Sequence, residues 1–515
     1  MTAKSQAERV TELKTAQLAK ANRRPEDELT IPTTDLGNAE RLAAWHGDSL
    51  RYVDKWNRWL AWNGCCWRSD DTGAASRACQ DVARRLAGMA AKHMAEAAAE
   101  LAINRDDSDA QKMMKEAKAL FEFALDSQNG RRLSAMEKIG RSLSAFVVSH
   151  EDLDADHWAL NVANGTLDLR TGTLRPHDRA DLITRLAPVA YDPDATCPTW
   201  DAFLLRAMGG SVSLTSYLQR LIGYSLTGTI REHLLGFFFG GGANGKSTFL
   251  NIIHVLLGDY ASTAPRGMLM RRTGTEPHPT EAVCMYGARF VTCSEVEDGA
   301  ALDEAKIKDL TGGDRIKARR MHENFWEFAP THKLFFAGNH RPAVRGDDDG
   351  IWRRLRLVPW TVTIPEAERD TSLPDRLRAE LPGILAWAVR GCLAWQAEGL
   401  SEPAEVRAAT SNYRAESDLV GQWLDAYCTF GEGQKVARKE LRAAYTSWCE
   451  EQGALPIGAR KMAERLRARG VTDTSVRVAQ RGEKHTATQV VDGWAGVRLS
   501  TDTERAAHDR WKAAE

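Results

Sequence analysis

At 515 residues, 43% hydrophobic and 27% charged, the chain has the composition of a folded globular protein, long enough for about three domains, and dominant disorder is excluded. Its 69 lysines and arginines balance 70 acids, so any nucleic-acid partner must be drawn by local basic patches and not by a global field. No apolar run approaches the roughly 20 residues of a membrane span and no apolar signal core opens the chain, so the expectation is a cytoplasmic protein with no membrane partner. Nine cysteines without a CxxC pair fit neither a disulfide framework nor a zinc knuckle. Cys65 and Cys66, flanked by Trp62 and Trp67, read as buried free thiols.

Residues 1–36 are polar and charged and are expected to form a flexible tail, with one weak helical stretch over 7–21. Residues 37–193 read as an α-rich mixed domain. Trp56, Trp59, Trp62 and Trp67 open it, and the alanine-rich "AASRACQDVARRLAGMAAKHMAEAAAELA" predicts a long helix, with a second over 110–125. "WALNVANGTLDLRTGTLRPH" then alternates apolar and polar residues around Asn-Gly and Thr-Gly turns, the pattern of short strands and hairpins. Asp106, Asp107 and Asp109 have the spacing of a metal-binding DxD, but they fall in a polar break between helices, where a solvated turn is the better reading.

Residues 198–228 read as helical. From 232 to 360 short apolar strands alternate with helical segments, which predicts a mostly parallel sheet with helices packed on it. The first of those strands, "LLGFFF", runs into "GGGANGKST". Gly240, Gly241, Gly242, Ala243, Asn244, Gly245, Lys246, Ser247 and Thr248 fit the G-x-x-x-x-G-K-[ST] pattern, between a strand and the helix-like "STFLNIIHVLLG". Glycines let backbone N–H groups turn toward phosphate oxygens, and a helix N-terminus adds its positive dipole end. Lys246 can neutralise β- and γ-phosphates, and the Ser247 hydroxyl can ligate Mg²⁺. ATP with Mg²⁺ is the ligand to expect, although the loop alone does not separate a kinase from a motor.

A nucleotide hydrolase also needs carboxylates at the end of a neighbouring strand. "ARFVTCSEVEDG" supplies an apolar strand ending in Glu295, with Glu297 and Asp298 behind it, and period-two alternation lets Glu295 and Glu297 share a face with Ser294 on the other. Residues 315–320 and 324–328 predict a hairpin carrying Lys317, Arg319, Arg320 and His322. "HKLFFAG" predicts a further strand that delivers Asn339 at its carboxyl end, where ligands bind in a parallel sheet. Arg353 and Arg354 stand just before another apolar strand. In the last region, 401–515, two helices joined by a Pro-containing turn precede the strand candidates "SVRVAQ" and "TATQVVDGWAGVRLS", an order that suggests a winged-helix-like domain. Arg460, Lys461, Arg465, Arg467 and Arg469 decorate its second helix, either as phosphate contacts or as a solvated or subunit-facing surface.

The ordered set GGGANGKST, SEVE, GGDRIKARR, AGNH and WRR resembles the superfamily 3 helicases, in particular the helicase part of phage and plasmid primase-helicases, which is similar to the poxvirus type. "GNAERLAAWHGDSLRYV" and "LNVANGTLDLRTGTL" look like the domain that precedes the motor, and the resemblance spans roughly residues 37–500. It implies an AAA+-like P-loop ATPase core at 194–400 that assembles as a ring, usually a hexamer, around one strand of single-stranded or forked DNA and moves 3′ to 5′. The implied protein is a replicative helicase of a phage or mobile element, in the cytoplasm of its bacterial host. By motif, Glu295 takes the Walker B role, Asn339 matches sensor 1, Lys317, Arg319 and Arg320 fall on the DNA-contacting hairpin, and Arg353 or Arg354 reaches a neighbouring subunit's ATP. Ser294 stands where many members have an acid, which leaves the division of labour between Glu295 and Glu297 open. Full-length relatives often begin with a primase domain. Only residues 1–36 precede the resemblance, so no primer synthesis is expected, and a separate primase becomes a candidate partner. Two other readings stay open: a P-loop ATPase for packaging or remodelling, and an ATP- and DNA-binding initiator or loader that does not unwind.

Overall fold

The structure, a computed structural model, describes residues 31–272, 279–293, 300–319, 325–344, 349–452, 456–481, 486–502 and 504–505. These fall into two compact units, one holding the stretch up to Pro342 together with Arg353–Arg407, the other holding Ala343–Trp352 and the stretch from Ala408.

The first unit begins with α1 (Asp35–His46), whose start is fixed by the Thr34 side chain accepting from the Gly37 N–H at 3.0 Å. An antiparallel meander follows, β1 (Leu50–Val53), β2 (Arg58–Trp62) and β3 (Trp67–Ser69). The alanine-rich segment forms α2 (Ala74–Ile103), which packs along α3 (Ser108–Asp126). Ala83, Ala90 and Ala97 on one helix and Ala110, Ala117 and Ala124 on the other recur every seven residues, all buried, so a methyl-sized seam lets the two backbones approach closely. Asp107 caps α3 by accepting from the Asp109 N–H at 3.0 Å, which makes the aspartate triplet a helix start. No group of three metal-ligating side chains occurs among the described residues. A further helix, α4 (Gly130–Gly140), has no counterpart in the sequence reading. All nine cysteines are free. Cys66 is buried, and burial pushes its thiol up to about 11, but Cys65 is only half-buried, which corrects the expectation of two buried neighbours.

The second meander, β4 (Ala159–Val162), β5 (Gly165–Asp168) and β6 (Thr173–Arg175), lies where the turn signals place it. The helical stretch after it is two helices, α5 (Pro198–Ala207) and α6 (Val212–Leu226). Then comes a five-stranded, all-parallel sheet of β7 (Leu235–Phe239), β8 (Ala261–Ala264), β9 (Phe290–Cys293), β12 (Lys333–Gly338) and β13 (Leu355–Pro359), in the spatial order β13-β7-β12-β9-β8. Between β9 and β12 the chain forms α8 (Glu304–Gly312) and a two-stranded antiparallel hairpin, β10 (Ile316–Ala318) with β11 (Trp326–Phe328). Apart from the edge strand β8, the sheet strands are near-continuous apolar runs because both faces are mostly buried. Phe238 packs edge-on against Phe249 of α7 (Lys246–Leu257), while Phe237 meets Phe336 at 4.9 Å.

The amino ends of β9 and β12 carry two buried cations, Arg289 and Lys333. Arg289 donates to Leu226 O at 2.5 Å and to Ala159 O at 2.6 Å, and Lys333 donates to Thr227 O. Both therefore cap the carboxyl end of α6, where orphan carbonyls and the negative end of the helix dipole offset the cost of burying charge. Each also lies over a ring, Arg289 on Tyr260 at 4.5 Å and Lys333 on Tyr224 at 4.6 Å. Burial, and then the charge of Arg289, holds Lys333 well below its ordinary range.

After β13 the first unit adds α9 (Leu373–Ala379) and α10 (Leu381–Glu398). In the second unit α11 (Leu419–Tyr427), β14 (Cys428–Ala437), α12 (Arg438–Glu451), α13 (Ala459–Ala468), β15 (Thr472–Arg481) and β16 (Thr486–Leu499) enclose a core around Trp423, Tyr445, Leu466 and Trp494. Its sheet has the order β14-β16-β15, all antiparallel, and β14 is a strand that sequence patterning did not pick out.

His332, beside Lys333, is buried, and burial followed by the lysine's charge pushes its imidazole down to about 4 from 6.5. The unfolded chain therefore takes up a proton that the folded one refuses, so this contribution to stability is complete above pH 6.5 and is lost as pH falls toward 4. Between about pH 7 and about pH 5 the wild type should lose about 2 kcal/mol more than His332→Asn in urea unfolding.

Candidate functional site

The glycine loop leaves β7 at Gly240 and enters α7 at Lys246. A Cβ on Gly240 would lie 2.0 Å from Trp360 O, and one on Gly245, which sits at φ +88°, would lie 2.8 Å from Phe203 Cε2, so the fold itself demands glycine at both ends. At Gly241 and Gly242 a Cβ would meet no atom within 4 Å. No described residue fills that face, which leaves room for a ligand to approach the backbone. Ala243 holds a positive φ of 57°, with its carbonyl accepting from the Ile364 N–H at 2.8 Å. Asn244 is buried and braces the loop, donating to Gly241 O at 2.5 Å and to Trp360 O at 3.2 Å.

Lys246 is buried at the first turn of α7. Its ammonium donates to Gly240 O at 2.6 Å, Gly241 O at 3.1 Å, Asn244 Oδ1 at 3.1 Å and Asn339 Oδ1 at 3.2 Å. Ser247 is exposed and Thr248 half-buried on the same turn. Asn339 reaches the lysine because β12 is parallel to β7 in the register Gly338↔Phe239, so the residue after β12 stands beside the loop that follows β7. A helix N-terminus, an uncovered backbone and a lysine converge here, the chemistry that binds an anion. Glu295 and Glu297 follow β9 and lie outside the described residues, as do Ser294, Asp298, Arg320 and His322.

Arg353 and Arg354, adjacent in sequence, separate in space. Arg354 is buried, its Nε donating to Thr311 Oγ1 at 3.0 Å and its carbonyl accepting from the Leu235 N–H at 2.8 Å. Arg353 is exposed. Of the two, only Arg353 presents its guanidinium to solvent.

On the hairpin, Lys317 is 76% exposed, with Glu327 directly across at 3.7 Å. Arg319 places its guanidinium over the ring of Phe325 at 4.8 Å, and Phe325 is itself 58% exposed, whereas Trp326 beside it is buried. Sequence reasoning missed Phe325. The signal was available in the strand alternation, which turns Trp326 and Phe328 to one face and leaves Phe325 on the other.

In the second unit most of the arginines on and after α13 are neutralised internally. Arg465 meets Asp418 at 2.9 Å, Arg467 meets Asp473 at 2.9 Å and Arg469 meets Asp425 at 2.5 Å, while the exposed Arg460 pairs with Glu464 at 3.1 Å. Lys461 is exposed.

Comparison with known proteins gives two family matches along the chain. A family described as "D5 N terminal like" matches residues 39–209, and a family of unknown function, DUF5906, matches residues 238–354, the stretch with the loop, the hairpin and Asn339. A candidate helicase of Acanthamoeba polyphaga mimivirus is 27% identical over 298 residues, 54% of this chain and 31% of that protein. The amino-terminal match and these viral relatives support a place among the D5-type primase-helicases. A candidate helicase of Invertebrate iridescent virus 6 is 26% identical over 49% of this chain and 27% of its own length, and a candidate primase of African swine fever virus is 26% identical over 40% and 22%. The chain thus spans about a third or less of these curated relatives. Among solved structures, the C-terminal region of NrS-1 in its A-form apo state is similar at a TM-score of 0.39 and 10% identity, covering 59% of this chain and 76% of that one. No helix among the described residues is long and apolar enough to cross a membrane.

The difference in burial gives a direct expectation for the two arginines. Arg354→Ala should cost about 2 kcal/mol through its lost charged hydrogen bond, and Arg353→Ala should stay within about 0.5 kcal/mol of wild type. Thermal unfolding of the two variants side by side measures this.

Proposed function

We propose that the chain is an ATP-dependent replicative DNA helicase, built on an AAA+-like P-loop core that assembles as a ring, with the superfamily's hexamer as the expected state. The observation that carries the reading is the meeting of Lys246 and Asn339 beside a glycine loop whose outer face is uncovered. The D5 N terminal like match and the helicase and primase names of similar viral proteins support it.

ATP with Mg²⁺ supplies the phosphoanhydride whose hydrolysis drives movement. The residues present fit that group: Gly241 and Gly242 leave their backbone uncovered, the Ser247 hydroxyl is exposed at the start of α7, and Lys246 needs only to exchange carbonyl oxygens for phosphate oxygens. Ser247, Glu295 and Glu297 would hold the metal, and Asn339 would orient the γ-phosphate or the attacking water. Arg353, exposed where Arg354 is buried, is the residue to reach a neighbouring subunit's nucleotide. Lys317, Arg319 and Arg320 would track the phosphates of single-stranded or forked DNA, and Phe325 would stack on a base. Movement 3′ to 5′ and a phage or mobile-element source with action in the host cytoplasm follow from the family resemblance alone. The helix-strand-helix-helix-strand-strand order of the second unit supports a winged-helix-like fold. Its arginines, tied to Asp418, Asp425 and Asp473, serve that fold before they serve DNA.

Purified protein should hydrolyse ATP faster with single-stranded DNA than without, and Lys246→Ala should abolish both rates. Turnover indifferent to DNA would point to a packaging or remodelling ATPase, and DNA-stimulated turnover with no strand displacement would point to an initiator or loader. If Arg353 acts across a subunit boundary, Arg353→Ala and Lys246→Ala should each be inactive alone and recover ATPase on mixing, because an intact lysine then faces an intact arginine. No recovery would place Arg353 outside the neighbour's site.

A further inference from the structure

A hairpin of two three-residue strands is too short to hold its own shape in water. The β10–β11 hairpin is held from outside. Strand alternation turns Trp326 and Phe328 away from solvent, and both are buried in an aromatic cluster drawn from distant parts of the chain. The Trp326 ring lies 4.8 Å from Tyr286, 6.2 Å from His150 and 6.4 Å from Trp56, each edge-on, and 5.3 Å from Phe328. Trp56 also meets Tyr286 at 5.6 Å, and the Tyr286 hydroxyl donates to His150 O at 3.3 Å. Outside the cluster, Arg315 at the foot of β10 donates to Glu151 Oε1 at 2.6 Å and to Glu327 O at 3.2 Å. Edge-on ring contacts and a charged pair fix direction as well as position.

Trp56, His150 and Glu151 all precede the parallel sheet by many residues, and all three fall within the amino-terminal family match at 39–209. We infer that they are positioning residues: they hold the root of the hairpin so that Lys317, Arg319 and Phe325 on its outer face stay presented to single-stranded DNA. This rests on the DNA reading of the hairpin and gives the amino-terminal part of the chain a task in the motor. The alternation supports it, because the residues facing the cluster are buried aromatics while Phe325 and Lys317 face solvent.

The test uses the full chain with Trp56→Ala, Trp56→Phe and Glu151→Gln. In Trp56→Ala the amides of 316–318 and 326–328 should exchange hydrogen about tenfold faster. The DNA concentration that half-saturates ATPase should rise about fivefold, with DNA-free turnover unchanged. Trp56→Phe, which keeps a ring in place, should restore both, and Glu151→Gln, which removes only the outer tie, should move both in the same direction by less. A purely structural role would lower the melting temperature and leave the half-saturation point alone, and that result overturns the inference. So does hairpin exchange that does not change. Wild-type turnover that ignores DNA overturns the DNA reading of the hairpin itself, an outcome separable from the others because it needs no variant.

Discussion

The position of β12 between β7 and β9 is the constraint on which the candidate site depends. Parallel strands send all their carboxyl ends to one edge, but only neighbours place their following residues within reach of each other. Because Gly338 pairs with Phe239, Asn339 meets Lys246 at 3.2 Å, although 93 residues separate them in the chain. The loop gains its shape from the same edge. Trp360, just past β13 on the other side of β7, lies under Gly240 and accepts from Asn244, so the strands flanking β7 both grip the loop.

The opposite edge of the sheet is built for the contrary purpose. Arg289 and Lys333 stand at the amino ends of β9 and β12 and tie them to the last carbonyls of α6 and, through Ala159, to the second meander. Two buried cations are costly in a protein interior, and like charges near each other add to the cost, as the depressed lysine shows. Carbonyls at a helix carboxyl end, with tyrosine faces beside them, are among the few neutral surroundings that return much of it. The sheet is thus fixed at one end, while at the other the described residues leave Gly241 and Gly242 open, so that exchange of the lysine's oxygen partners for a ligand's would disturb no core packing.

Much of this was legible in the sequence, for identifiable reasons. Sheet strands with both faces buried leave apolar runs such as "FFF" and "KLFFAG", and the glycine spacing exposes the loop because backbone contact leaves no alternative at Gly240 and Gly245. The order of strands in the sheet was not legible, since nothing local records which strand β12 lies beside. Arg353 and Arg354 were indistinguishable as residue types and are separated only by which one turns toward Thr311. The arginines on and just after α13 read equally well as a DNA surface, because Asp418, Asp425 and Asp473, which neutralise three of them, lie outside that helix. β14 escaped notice because glycines and charges interrupt its apolar pattern where the pairing with β16 shifts register between Phe430 and Lys435.

The amino-terminal and sheet-bearing parts of the first unit match two different families, yet they do not form two separate cores. Tyr286, which follows β8 in the sheet-bearing part, packs into the same apolar cluster as Trp56, Leu60, Trp67 and Val148. Arg289 reaches back to Ala159, and the amide of Asn161 donates to the Tyr260 hydroxyl at 3.2 Å. Cutting the chain between the two matches would expose half of each of these contacts and leave Arg289 buried with one carbonyl fewer. A boundary drawn by family resemblance therefore falls where the physical contacts are continuous, and a movement of the hairpin has packed side chains through which to reach the amino-terminal strands.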